Sequence, residues 1–108
     1  MNYNTTKKYI LYQVINEQDQ IVYIGSSGLQ ISALEYNHRN YKTKGYKPTR
    51  FRLALEQHGS NWTFSVLHNA HRTREQTEYL EGIAIREALP KYNDDLFPLE
   101  SSKQYGRI

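Results

Sequence analysis

Residues 9–28 read YILYQVINEQDQIVYIGSSG, and no other stretch restricts the fold as tightly. Two runs rich in tyrosine and β-branched residues, residues 8–15 and 21–24, flank the polar connector NEQDQ. Runs of that kind form strands, and so short a connector joins sheet neighbours, so the segment predicts an antiparallel hairpin. The first run has little polar interruption beyond Gln13, which predicts a central strand covered on both faces. Gly25 is expected to break the second. Tyr12 and Tyr23 then lie within strand, and a buried phenol needs a partner for its hydroxyl. Two of them in one hairpin are either packing or half of a reaction site.

The rest of the chain supplies helices and one more strand. Ser32 opens Ser-Ala-Leu-Glu, a capping-box pattern that predicts a helix from Ala33 to about Tyr41. KTKGYKP reads as an exposed basic loop. Thr49 is placed to cap a second helix, with Phe51, Leu53 and Leu55 turned inward and Gly59 as its stop. In NWTFSVLH, Trp62, Phe64 and Val66 alternate with Thr63 and Ser65, a period of two that predicts a third strand. Thr73 and Gln76 form another capping-box pair, opening a helix that ends near Leu89, before Pro90. The expected order is ββααβα: an α+β class chain with a small three-stranded mixed sheet flanked by helices. A single domain spans 1–108, with its core at about 8–93. A tail, 94–108, offers Leu96, Phe97 and Leu99 to the body.

At 108 residues the chain can bury one modest core. A mean hydropathy of −0.82 requires a very polar surface. No apolar run reaches the roughly 18 residues of a membrane span, and the first residues do not read as a signal peptide. With no cysteine, thiolate chemistry and disulfides are excluded. A cytoplasmic protein is the expectation, in the cytoplasm of the host cell if phage-encoded. Net charge is only +3, but its distribution is uneven. Arg39, Lys42, Lys44, Lys47, Arg50 and Arg52 occur between Tyr36 and Leu55 with no acid among them, interleaved with Tyr41, Tyr46 and Phe51. Such a run is either a solvated face or a footprint for a polyanion.

ILYQVIN followed by VYIG resembles the two-part signature of the GIY-YIG nuclease superfamily. Tyr12 stands at the tyrosine of the first motif, and Tyr23, Ile24 and Gly25 form the second; Ile10 replaces the first glycine. LEGIAIREALPKYN is similar to the family's third-helix pattern, with Glu81 nine residues before Pro90 and twelve before Asn93. The likeness runs from Tyr9 to Asn93.

The resemblance implies a metal-dependent DNA endonuclease. Glu81 would hold Mg²⁺ or Mn²⁺, and Tyr12 and Tyr23 would hold the attacking water. Asn93 would brace the hairpin through hydrogen bonds. A hard cation of this kind needs only one or two carboxylates, with water and phosphate completing its shell. Duplex or branched DNA is the implied partner, and a dimer or tetramer is one route to cutting both strands. Compact members are found in phages and restriction systems.

The family also carries an arginine early in the first helix, where this chain has Ala33. Arg39 is the expected replacement, serving both catalysis and DNA binding, with Arg50 and Arg52 next in line. His38 shares a helix face with Leu34, which turns it toward the tyrosines as an aid to proton transfer. Two other functions compete with the enzyme: a catalytically degenerate nucleic-acid-binding module on the same fold, and a structural interaction domain.

Overall fold

The computed structural model describes residues 7–93, so the expected contacts of Leu96, Phe97 and Leu99 lie outside the described residues. Along the chain come β1 (Lys7–Ile15), β2 (Ile21–Ser27), α1 (Ile31–Arg39), α2 (Tyr41–Lys44), α3 (Arg50–His58), β3 (Thr63–Arg72) and α4 (Arg74–Ala88). The hairpin forms as expected, and β1 is the central strand in the order β2-β1-β3. Asn16 organises the connector: its backbone N–H donates to Gln20 O, and its Oδ1 accepts from the N–H groups of Gln18 and Gln20. Asp19 takes the left-handed backbone conformation that turn requires.

The sheet is antiparallel throughout rather than mixed. The helical connection does leave β2 and β3 pointing the same way, but β1 lies between them and no parallel ladder forms. Nor does Gly25 break β2. It pairs with Tyr12, and the ladder continues through Ser26 opposite Leu11 and Ser27 opposite Ile10.

Alternation along β1 divides the core into two layers. On one face Ile10, Tyr12 and Val14 pack with Leu34 of α1, Phe51 and Leu55 of α3, and Trp62 and Phe64. On the other, Leu11 joins Ile24 and Ile85, with Leu80, Ala84 and Ala88 of α4 packed alongside.

Two capping expectations hold and one does not. Thr49 accepts from the Arg52 N–H, and Thr73 with Gln76 makes a full capping box. Helix α1 begins at Ile31 behind Gln30 with no side-chain cap; Ser32 is inside its first turn, and Glu35 pairs with Arg39 instead. The loop after it contains the one-turn helix α2, closed by Gly45 at φ 76°.

Two expected core positions also differ. Leu53 is 41% exposed and Ala54 takes its place, because the inward face of α3 recurs every three to four residues, not two. Val66 is 40% exposed, at the point where edge strand β3 slips register between its pairings with Tyr12 and Leu11. Among the described residues no helix is long and apolar enough to cross a membrane.

Candidate active site

Tyr12 is buried in the central strand, and its hydroxyl lies 2.9 Å from Nε2 of His38. It also shares a hydrogen bond with the Tyr23 hydroxyl. The phenols sit in an aromatic nest: Tyr23 stacks on Phe51 at 4.0 Å between centroids and 14° between planes, and Phe64 stacks on Tyr12 at 6.3 Å. Taking an ionised phenol out of water is costly. Burial therefore pushes the Tyr12 hydroxyl well above the ordinary phenol range, the neighbouring Tyr23 phenol and the charge of Glu81 add to the rise, and Arg52 opposes it. At neutral pH Tyr12 keeps its proton.

His38 reaches this nest from α1 because it lies one turn beyond Leu34, on the buried face. Its ring meets Phe51 edge-on at 5.1 Å. Nδ1 accepts a hydrogen bond from Nε of Arg52 at 3.1 Å. Burial, followed by the nearby guanidinium, lowers the imidazole from 6.5 to about 4, so it is neutral at physiological pH.

The expected arginine, Arg39, is not brought to the tyrosines. Its Nε donates to Glu35, Nη1 to Gly59 O and Nη2 to Trp62 O, with Phe64 beneath the guanidinium. It ties α1 to the turn between α3 and β3. The cation beside the phenols is Arg52, in the first turn of α3 and adjacent to Phe51. It is anchored by Nη1 to Lys47 O and lies over the Tyr46 ring at 5.2 Å. Helix α3 presents Phe51 to Tyr23 and Arg52 to His38 together, an arrangement that depends on how α1 and α3 pack.

Glu81 projects from α4. Its Oε1 accepts a 2.6 Å hydrogen bond from Ser26 Oγ, which sits just past Gly25 on the strand face that carries Leu11 and Ile24. Burial raises the Glu81 carboxyl, the Ser26 bond partly offsets this, and the charge of Glu78 adds to the rise. Among the described residues no three His, Cys, Asp or Glu side chains gather as a ready cation cage. A half-buried carboxylate with one hydroxyl partner still suits a hard divalent cation whose other ligands are water and phosphate, because a cation favours the ionised form that burial disfavours. An open cleft of about 290 Å³ is lined by Tyr9, Ser26, Ser27, Arg74, Thr77 and Glu78; Ser26, the hydroxyl partner of Glu81, stands on its wall.

Asn93 is a brace. Its Oδ1 accepts from Ile24 N and its Nδ2 donates to Ile24 O, both at 2.9 Å, while Tyr92 N donates to Val22 O. The outer edge of β2 is thereby paired, and the residues on either side of Ile24, Tyr23 and Gly25, are held in place.

The basic residues do not form one free surface. Lys42 is paired with Glu56 at 2.8 Å, and Lys44 lies over the Tyr36 ring. Arg50 donates to Lys91 O and lies over Tyr92. Lys44, Lys47 and Arg50 are exposed, whereas Arg52 is partly buried. Ser26 was not among the residues the sequence singled out. Its signal was available: had β2 been extended past Gly25, the register would have set Ser26 opposite Leu11, facing α4.

No protein-family model matches this sequence, and no curated protein matches it. Among solved structures, the catalytic domain of homing endonuclease I-TevI matches at a TM-score of 0.64 and 20% identity, over 81% of this chain and 98% of that one. A substituted form of the same intron endonuclease domain matches at a TM-score of 0.64 and 16% identity, over 82% and 95%. The chain therefore has the GIY-YIG catalytic-domain fold: a three-stranded antiparallel sheet flanked by helices.

Proposed function

We propose that this chain is an endonuclease that hydrolyses phosphodiester bonds of DNA with the help of a divalent cation, Mg²⁺ or Mn²⁺, held by Glu81. One observation carries the reading: two phenols, a neutral imidazole and a guanidinium meet on one face of the sheet, and Glu81, hydrogen-bonded to Ser26 on the other face, is close enough for its charge to raise the Tyr12 hydroxyl. A purely structural core has no need to place a carboxylate near a buried phenol. The fold it shares with a homing endonuclease catalytic domain supports the same reading.

The cation would supply charge neutralisation at the phosphate oxygens and a more acidic water. The chain's own residues do the rest. Tyr12 and Tyr23 orient the attacking water through their hydroxyls, and the aromatic nest keeps bulk solvent from it. Ser26 fixes the rotamer of Glu81. Arg52 contributes permanent positive charge where negative charge develops, in place of an arginine on α1. Exposed Lys44, Lys47 and Arg50 hold the DNA backbone without reading sequence.

Nicking of supercoiled plasmid with Mg²⁺, with Mn²⁺ and with chelator tests the proposal. Cleavage should require the cation, and Glu81→Gln should lower it by about a hundredfold or more while DNA affinity and thermal stability stay near wild type. The second reading is a binding module without catalysis, which Leu34 and Ala33 favour by leaving the buried face of α1 without an arginine. A wild-type protein that binds duplex or branched DNA and cuts neither with either cation would establish it.

A further inference from the structure

The Arg52–His38–Tyr12 contacts determine the direction in which hydrogen bonds run through the site. A guanidinium has only donors and cannot accept. Nδ1 of His38, 3.1 Å from Arg52 Nε, must therefore present its lone pair. A neutral imidazole with an unprotonated Nδ1 carries its proton on Nε2. Nε2 is the atom 2.9 Å from the Tyr12 hydroxyl, so that bond runs from His38 to Tyr12. The Tyr12 oxygen accepts from the ring, and its own hydrogen is turned away from the imidazole, toward the side where Tyr23 is its other partner.

We propose that Arg52 is a positioning residue that fixes His38 as the Nε2–H tautomer, making His38 a hydrogen-bond donor to Tyr12 and not the base that removes its proton. This inference rests on the endonuclease reading for its consequence in catalysis, but not for its geometry. Donation runs from the guanidinium through the ring to the phenol, so the positive end of the chain faces any negative charge that grows on the Tyr12 oxygen. A proton leaving Tyr12 departs toward Tyr23 or bound water, because the only nitrogen facing the phenol already holds one. Arg52 is itself held by Lys47 O and the Tyr46 ring, and its backbone N–H by the Thr49 hydroxyl, so its Nε–H is directed at the imidazole by three contacts. Neutrality of the ring at physiological pH, from burial and from Arg52, agrees with this assignment.

Two-bond ¹H–¹⁵N spectra of histidine-labelled protein at neutral pH, without added cation, read the tautomer directly. The His38 signal is identified by its loss in His38→Gln. In the wild type, Nε2 should show the signature of a protonated nitrogen and Nδ1 that of an unprotonated one. Arg52→Met, which keeps length but has no donor, should give a mixture of tautomers, and Arg52→Lys should restore the wild-type pattern in part. Turnover in plasmid nicking should fall by about tenfold or more in Arg52→Met, with DNA affinity changed far less. A wild-type His38 protonated on Nδ1 would overturn the proposal even if Arg52→Met failed to fold. So would a tautomer left unchanged by a folded Arg52→Met, since a merely structural arginine would alter the melting temperature alone. Absence of any cleavage by the wild type would reject the endonuclease reading and leave the tautomer result standing.

Discussion

The Tyr12 ring occupies the space that a side chain on Gly25 would need. A Cβ built at Gly25 would stand 2.6 Å from the Tyr12 hydroxyl oxygen, 2.7 Å from Cζ and 2.9 Å from Cε1. The two residues are cross-strand partners, so this closeness follows from the register itself. The glycine of the Tyr-Ile-Gly triplet is there to let a phenol lie flat across its neighbour, and its φ is unremarkable.

Gly25→Ala should consequently displace the Tyr12 hydroxyl without removing it. The ring cannot retreat easily, because Phe64 and His38 pack against it. Overpacking of this kind costs about 1–3 kcal/mol, which thermal unfolding would register. At a temperature where both proteins are fully folded, turnover should fall by about a hundredfold through misplacement alone. Equal activity per folded molecule would show that the Tyr12 hydroxyl has no positioning role.

Asn93 should matter to stability before it matters to chemistry. Asn93→Ala leaves both Ile24 N and Ile24 O without their side-chain partner at a buried site. Unsatisfied backbone groups cost about 1–3 kcal/mol each, so a loss of at least about 2 kcal/mol is expected in denaturant unfolding. Asn93→Asp tests the geometry: it keeps the acceptor for Ile24 N and sets a second oxygen against Ile24 O. It should be destabilised as well. A melting temperature unchanged in both variants would show that the amide clamp contributes nothing to holding β2.

Acid should destabilise the fold through His38. The native imidazole titrates at about 4, against 6.5 for the ordinary group. The unfolded chain therefore binds more protons than the native one between those values. The contribution is complete above pH 6.5 and is lost as the pH falls toward 4; its size is of the order of 3 kcal/mol. Glu81, whose carboxyl is raised by burial, opposes this slope at its acidic end. His38→Gln should flatten the fall of melting temperature between pH 6.5 and 4.5. A fall as steep as wild type would mean that other groups carry the acid sensitivity.

Much of the site was legible because its signals are local. Strand period and connector length place Tyr12 beside Tyr23, and the spacing from Glu81 to Asn93 spans one helix end. The cation was harder. Arg39 follows His38 in sequence, but it lies off the buried face that Leu34 and His38 share, so it turns to Glu35, Gly59 O and Trp62 O. Arg52 reaches the ring only because α3 packs beside α1, a long-range arrangement that no short window records. Reading Phe51, Leu53 and Leu55 at a period of two concealed the same fact: the true inward set is Phe51, Ala54 and Leu55, and it turns Phe51 onto Tyr23. Ser26 was hidden by ending β2 at Ile24, three residues short of its end at Ser27.

The basic stretch supplies the last prediction. Glu56 accepts from Lys42 Nζ and from the Tyr41 hydroxyl, both at 2.8 Å, so Lys42, like Arg39 with Glu35, is already compensated. The pair is exposed and of little consequence for stability, yet it subtracts from what the surface offers a polyanion. Each phosphate contact contributes about −0.9 to the slope of log K against log salt. Glu56→Gln keeps an acceptor for Tyr41 and releases Lys42, so the slope should steepen by about 0.9. Lys42→Ala should leave the slope nearly unchanged in the wild-type background and remove the gain in the Glu56→Gln background. Should Lys42→Ala already flatten the wild-type slope, the ion pair opens when DNA binds and Lys42 contacts phosphate. A slope insensitive to Lys44→Ala and Lys47→Ala as well would place the DNA on another face of the molecule.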